Sequence, residues 1–225
     1  MSRPDPALST SEPSYDCALC SRLADFHIEN REKYPDFHNG PVKAFSASEP
    51  VRLLIVGLAP GLKGANATGR PFTGDYAGDL LYETLLRYGF ASGTYGGRAD
   101  DGLALKAARI TNAVRCVPPQ NKPTTAEIRT CNGFLAQELA GLSNLRVILA
   151  LGTIAHGAIL TALGMKKSAC AFGHGAEHRL AFQGRAITLV DSYHCSRYNT
   201  QTRRLTPEMF RSVFERLREI SSDEG

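Results

Sequence analysis

Four short apolar runs, separated by stretches with helical spacing, constrain this chain more than any other feature. They occupy residues 51–57 (V-R-L-L-I-V-G), 108–114 (A-R-I-T-N-A-V), 145–151 (L-R-V-I-L-A-L) and 186–190 (A-I-T-L-V). Near-continuous apolar runs of this length are the mark of strands buried on both faces. Between and beyond them lie the helical segments. Residues 78–89 carry Leu80, Leu81, Leu85 and Leu86 on one side. Thr125 reads as the N-cap of a helix over 126–139, with Glu127 in its first turn. Gly152 opens a helix reaching about residue 163, and Thr206-Pro207-Glu208 caps a closing helix that runs to about residue 220. Alternating strands and helices predict an α/β fold with a four-stranded parallel sheet covered on both faces. Ligands of such sheets bind beyond the carboxyl ends of the strands, where the unusual loops of this chain fall.

The 225 residues suffice for one such domain and leave little room for a second. Residues 1–14, rich in Pro, Ser and acidic side chains, read as a disordered tail without the apolar stretch of a signal peptide. Residues 15–225 read as the single domain. After a C-A-L-C pair, residues 17–34 have helical spacing that turns Leu23, Phe26, Ile28 and Tyr34 inward. The glycine-rich segment 91–103 reads as exposed, and 168–185 as a loop or hairpin. No apolar run reaches the ~20 residues that span a membrane, so a cytoplasmic location is expected. The net charge of +4 is compatible with a polyanionic partner.

Four cysteines at Cys17, Cys20, Cys116 and Cys131 bracket the first strand–helix unit. In a chain of this character they bind a metal or an iron–sulfur cluster in preference to forming disulfides. Between them the loop V-G-L-A-P-G-L-K-G-A-N-A-T-G-R-P-F-T-G-D leaves the first strand. It has neither a Walker G-K-[ST] nor a G-x-G-x-x-G fingerprint, but its glycines let backbone amides approach an anion or a flat ring. Phe72 in this loop is either a core anchor or a platform for a flat ligand. Asp75 and Asp79 either cap the next helix or carry chemistry. Asn112, at the end of an apolar strand, is costly unless paired, and so ties down a loop or reads a ligand edge. Asp191-Ser192-Tyr193-His194-Cys195-Ser196-Arg197 follows the fourth strand at the matching position.

Three ordered motifs, G-L-A-P-G…G-R-P-F-T-G-D, I-T-N-A-V-R-C-x-P-P-x-N-K-P and S-Y-H-C-S-R-Y-N-T-Q-T-R-R-L-T, together with the cysteine pattern, resemble the uracil-DNA glycosylase superfamily. The resemblance spans roughly residues 17–215 and is greatest to the iron–sulfur family 5, or B-type, enzymes. It implies a three-layer α/β/α sandwich and a monomeric DNA repair glycosylase, cytoplasmic and nucleoid-associated. The implied reaction flips a deaminated base out of DNA and hydrolyses its N-glycosidic bond. The base would be uracil first, with hypoxanthine or xanthine beside it. By the same resemblance, Cys17, Cys20, Cys116 and Cys131 ligate a structural [4Fe–4S] cluster, with zinc on the same four sulfurs as the alternative. His194 stabilises the departing base anion, Phe72 stacks on the base, and Asn112 reads its polar edge. Gly57, Leu58, Ala59 and Gly61 form the cradle, Ser196 and Arg197 hold flanking phosphates, and Tyr198 takes the wedge position. Related subfamilies carry a carboxylate or Asn where this chain has Leu58, which leaves Asp75 to position water or stabilise the cationic sugar. The usual His-Pro-Ser is His194-Cys195-Ser196 here, without the stiffening proline. Cys170 and Cys195 are left over: Cys170 reads as a buried apolar residue and Cys195 as a small apolar replacement. Two other classes fit parts of this pattern: an iron–sulfur nucleic-acid-binding protein without glycosylase activity, and an iron–sulfur electron carrier.

Overall fold

In a computed structural model of the protein, which describes residues 11–222, the four apolar runs pair as parallel neighbours. They are β2 (Leu53–Gly57), β5 (Ala108–Asn112), β6 (Val147–Leu151) and β8 (Arg185–Ser192). Two antiparallel strands extend the sheet, β1 (Phe45–Ser46) at one edge and β7 (Glu177–Phe182) at the other, giving the order β1-β5-β2-β6-β8-β7. A separate two-stranded ribbon joins β3 (Ala91–Ser92) to β4 (Ala104–Leu105). The helices are α1 (Ser21–Lys33), α2 (Ala65–Thr68), α3 (Tyr76–Arg87), α4 (Thr125–Gly141), α5 (Thr153–Ala162), α6 (Arg197–Gln201) and α7 (Pro207–Ser222).

Successive strand residues face opposite sides, and this alternation divides the core in two. Leu53 and Ile55 of β2, Ile110 of β5 and Leu149 of β6 pack with α3 and α7. Leu54 and Val56, with Ile148 and Leu189, pack with α4 and α5. The result is the expected α/β/α sandwich. A third cluster, Leu23, Val114, Cys116, Cys131 and Phe134, lies where α1 meets α4 and the loop after β5.

The structure corrects several local expectations. The N-cap of α4 is Thr124 and not Thr125, because Thr124 and Glu127 form a reciprocal capping box. Ile28 is exposed: the buried face of α1 is Leu23, His27 and Asn30, at helical spacing but largely polar. Within the expected tail, residues 1–10 lie outside the described residues, whereas Glu12 pairs with Arg109 and Arg115 and so ties residues 11–14 to the domain. The segment 91–103 is not simply exposed, since Leu103 is buried and Asp101 is held in a buried ion pair. Cys195 is fully buried, but Cys170 is only half-buried.

Candidate active site

Parallel pairing places Gly57, the last residue of β2, directly beside Asn112, the last residue of β5. A side chain at Gly57 is impossible without rearrangement: a Cβ there would lie 2.4 Å from Asn112 Oδ1 and 2.5 Å from the Phe72 ring. The glycine therefore lets the ring and the carboxamide meet at the strand ends. Phe72 is buried and has a φ of 53°, a left-handed conformation that a bulky residue adopts only when its surroundings impose it.

Those surroundings are visible. Arg70, two residues earlier, is buried and forms a two-pronged ion pair with Asp101, at 2.8 and 2.7 Å. Its Nε donates to Thr73 Oγ1 at 2.8 Å, and its guanidinium lies over the rings of Phe45, Tyr82 and Tyr95. The Tyr82 hydroxyl donates to the Pro71 carbonyl at 2.6 Å, and the Tyr95 hydroxyl to that of Phe72 at 3.4 Å. Asp101 also accepts from the backbone of Gly96 and Leu103, and the guanidinium holds its carboxyl well below the usual carboxylate range. Gly78 completes the fit, because a Cβ there would strike the Phe72 carbonyl oxygen. The loop 70–75 is thus clamped from behind on several sides.

Asp75 ends this loop and is the N-cap of α3, its Oδ1 accepting from Gly78 N at 3.1 Å. Its Oδ2 is turned toward Gly61 and Gly64, where added Cβ atoms would approach within 3.3 and 2.6 Å. Capping and a pocket-facing carboxylate coexist in one residue. Asp79 is exposed.

From the other side comes the segment after β8. His194 stacks with Phe72, ring centroids 5.8 Å apart and planes 26° from parallel. Burial pushes its pKa below the ordinary histidine value, against the pull of the nearby Asp75 carboxylate, and so favours the neutral ring. The missing proline is compensated by hydrogen bonds: Asn199 Nδ2 donates to the His194 carbonyl at 2.8 Å. Behind it, Tyr193 N donates to His174 Nδ1 at 3.2 Å, and the two rings stack.

The resulting small pocket is lined by Ala59, Gly61, Ala65, Phe72, Asp75, Ala77, Asn112 and His194. The structure thus brings together the four side chains singled out in the sequence. Gly57 stands behind the pocket, and Leu58, half-buried, does not line it. Among the described residues no group takes up the Asn112 carboxamide, although the residue is buried. At the rim, Ser196 caps α6 by accepting from Asn199 N, Arg197 lies over the Tyr76 ring, and Tyr198 is 71% exposed. Arg70, Tyr95, Asp101 and His174 were not recognisable as supports, since their partners are distant in sequence. The one hint was Arg70 inside an otherwise small-residue motif.

A second constellation lies on the far side of Ala59, which lines the pocket and packs against the Cys116–Cys131 cluster. Cys17, Cys20, Cys116 and Cys131 line one cavity with Leu23, Arg115 and Phe134. Glu127 draws the C-x-x-C segment onto α4: it completes the capping box and accepts from Arg22 Nε and Nη2, both at 2.7 Å. Arg115 N donates to Cys131 Sγ at 3.3 Å, while the Arg115 guanidinium is buried against Glu138, 2.5 Å away. Burial pushes the Cys131 thiol up to about 11 and raises Cys116 and Cys20 as well. Such a cavity carries a stiff cost for bare thiolates and suits a cationic group that takes up their charge.

Comparison with known proteins agrees with this arrangement. The family model of the uracil DNA glycosylase superfamily matches residues 45–218. The chain is 44% identical to a type-5 uracil-DNA glycosylase of Thermus thermophilus, over 91% of this chain and 94% of that protein. It is 39% identical to one of Mycobacterium tuberculosis, over 92% and 79% of the respective lengths. A type-5 enzyme of Pyrobaculum aerophilum is 35% identical, over 93% and 89%. A strand-end pocket of this composition, joined to a match over nearly the whole chain, places the protein in the uracil DNA glycosylase superfamily, within its type-5 branch.

Proposed function

We propose that this protein excises uracil from DNA, leaving an abasic site, and accepts hypoxanthine and xanthine in the same pocket. The observation that carries this reading is the convergence of Phe72, Asn112, Asp75 and His194 on one pocket, with the Asn112 carboxamide and Asp75 Oδ2 unspent. A flipped base stacks on Phe72 and offers its polar edge to the Asn112 carboxamide. Breaking the bond between the sugar C1′ and the base nitrogen sends the electron pair to the base, and the sugar gains oxocarbenium character. Neutral His194 donates an N–H to the oxygen where negative charge grows, a preorganised donor in a water-poor site. Asp75 Oδ2 orients water toward C1′ and stabilises the positive sugar, and water supplies the hydroxyl that ends on C1′. Because the sugar cation forms early, a weak base suffices. Ala59, Gly61, Ala65 and Ala77 supply no side-chain polar group to discriminate between base edges, which supports acceptance of more than one deaminated base. Tyr198 fills the vacated stack, and Arg197 meets the backbone phosphates beside Ser196. The protein acts where DNA is found, in the cytoplasm or nucleoid, as a monomer.

The four cysteines would hold a [4Fe–4S] cluster, which when bound supplies a structural cross-link. Zinc on the same four sulfurs is the alternative. Iron, sulfide and zinc analysis with a visible spectrum of fresh protein tests this; zinc in place of iron and sulfide would reject it.

Excision and binding measured on the same uracil oligonucleotide test the catalytic assignment. Asp75→Asn retains a good N-cap but not the carboxylate charge. It is expected to lose excision with binding retained, and equal loss of both would reject the role of Asp75. Panels carrying hypoxanthine or xanthine test the breadth of base choice. Binding without abasic-site formation by the wild type would make this a nucleic-acid-binding protein instead.

A further inference from the structure

Away from both sites, three side chains from three elements meet beneath the loop 170–176: His156 of α5, His178 of β7 and Asp191 of β8. One ligand atom from each lies within 4.8 Å of the others. His156 Nδ1 is 2.7 Å from Asp191 Oδ1, and His178 Nε2 is 3.3 Å from Asp191 Oδ2. The side chains of His156 and Asp191 are 4% and 0% exposed, and that of His178 is 17% exposed.

The hydrogen bonding asks for a cation at this point. His156 Nε2 lies 3.1 Å from the Cys170 carbonyl, which only accepts, so Nε2 carries a hydrogen. A neutral ring then presents the lone pair of Nδ1 to a carboxylate oxygen. Two acceptors do not sit 2.7 Å apart in a buried place unless something positive joins them: a second proton on His156, or a metal ion, around which the two atoms would open to the roughly 3.3 Å spacing of tetrahedral ligands. The wider arrangement favours the metal. A ligating histidine typically donates its remote N–H to a carbonyl, as His156 does. Gly173 N donates to Asp191 Oδ2 at 3.3 Å and fixes the carboxylate from outside. His178 turns a second ring nitrogen onto the same carboxylate from the opposite strand.

We propose that His156, His178 and Asp191 bind a divalent transition-metal ion of the zinc class, with water in the fourth position on the partly open side of His178. Two imidazoles and a carboxylate suit borderline ions, whereas Ca²⁺ and Mg²⁺ take oxygen ligands. Asp191 precedes Ser192, Tyr193 and His194, so the ion would join α5, β7 and the end of β8 behind the loop that carries His194. This makes it a structural site, independent of the excision reaction and of the cysteine cavity.

Zinc added to the chelator-washed full chain, with the cysteine site loaded, tests the proposal. X-ray absorption at the zinc edge is expected to show nitrogen and oxygen ligands at about 2.0–2.1 Å without sulfur. Zinc at a hundredfold excess over its Kd is expected to raise Tm by roughly 5–10 °C. His178→Gln keeps an N–H donor for Asp191 but removes the ligand. It is expected to weaken zinc binding at least about tenfold and to abolish the Tm rise. Absence of saturable zinc binding in the wild type, a sulfur shell, or an unchanged zinc response in His178→Gln would overturn the proposal and leave a proton-held network. The wild-type spectrum decides the matter even if the variant does not fold.

Discussion

The strand-end pocket and the cysteine cavity are built in opposite ways. The pocket rises from the ends of β2, β5 and β8, already joined by the sheet, and its polar groups are braced from behind. Arg70 with Asp101 braces one wall, and Asn199 with His174 braces the other. The cavity joins chain segments about a hundred residues apart, through Arg22–Glu127 and a buried network of Arg115, Arg109, Glu138 and Glu12. Burial suppresses the acidities of Cys20, Cys116 and Cys131. The pocket is held by protein contacts alone, whereas on the proposed reading the cavity is completed by the group its four sulfurs hold. Losses in the first should therefore be chemical, and losses in the second structural.

The sharpest way to break this comparison is Cys116→Ser. If the cysteines are a cross-link, stability is expected to fall by about 3 kcal/mol or more, a Tm drop of roughly 6–12 °C, read by calorimetry. Excision per folded molecule should change little; an unchanged Tm would remove the distinction. His194→Ala is the converse. Loss of one donor at developing charge is expected to slow single-turnover excision by roughly 10²–10³-fold, with DNA binding and Tm near wild type.

Gly57→Ala probes the boundary between the two behaviours. Its Cβ has no room beside Asn112 and Phe72, so it should destabilise by about 1–3 kcal/mol and also lower excision by displacing both groups. A stable, fully active variant would show that the strand-end geometry is not required.

The smallest effect is a pH dependence on the cavity side. His27 of α1 is buried with an unsatisfied Nε2, and burial, aided by the Arg31 charge, lowers its pKa to about 4. The unfolded chain, titrating near 6.5, then binds more protons than the folded one between these values. Stability is expected to decline as pH falls from about 6.5 toward 4, and His27→Gln should flatten that slope in denaturation curves. His194, also lowered by burial, acts in the same direction and would remain.

Much of this was readable along the chain. The buried strands announced themselves because a strand covered on both faces must be apolar at every position, as in L-L-I-V-G. The edges did not. β1 is two residues long, and β7 is mostly exposed, with Leu180 its one buried residue. The capping box at Thr124 was legible, since Glu127 stands three residues later, yet the neighbouring Thr125 offered the same hydroxyl. Ile28 misled because α1 buries His27 and Asn30, whose fit depends on what they meet.

The order of strands and helices, the glycines at the strand ends and the spacing of the motifs follow from sequence, because they express local geometry and the period of burial. What tertiary structure alone decided is which remote groups support which loop: Asp101 behind Arg70, His174 behind Tyr193, and His156 and His178 on Asp191. A buried charge or ring nitrogen takes its partner from whatever the fold brings within about 3 Å, and that distance is set by packing between elements, which no local pattern encodes.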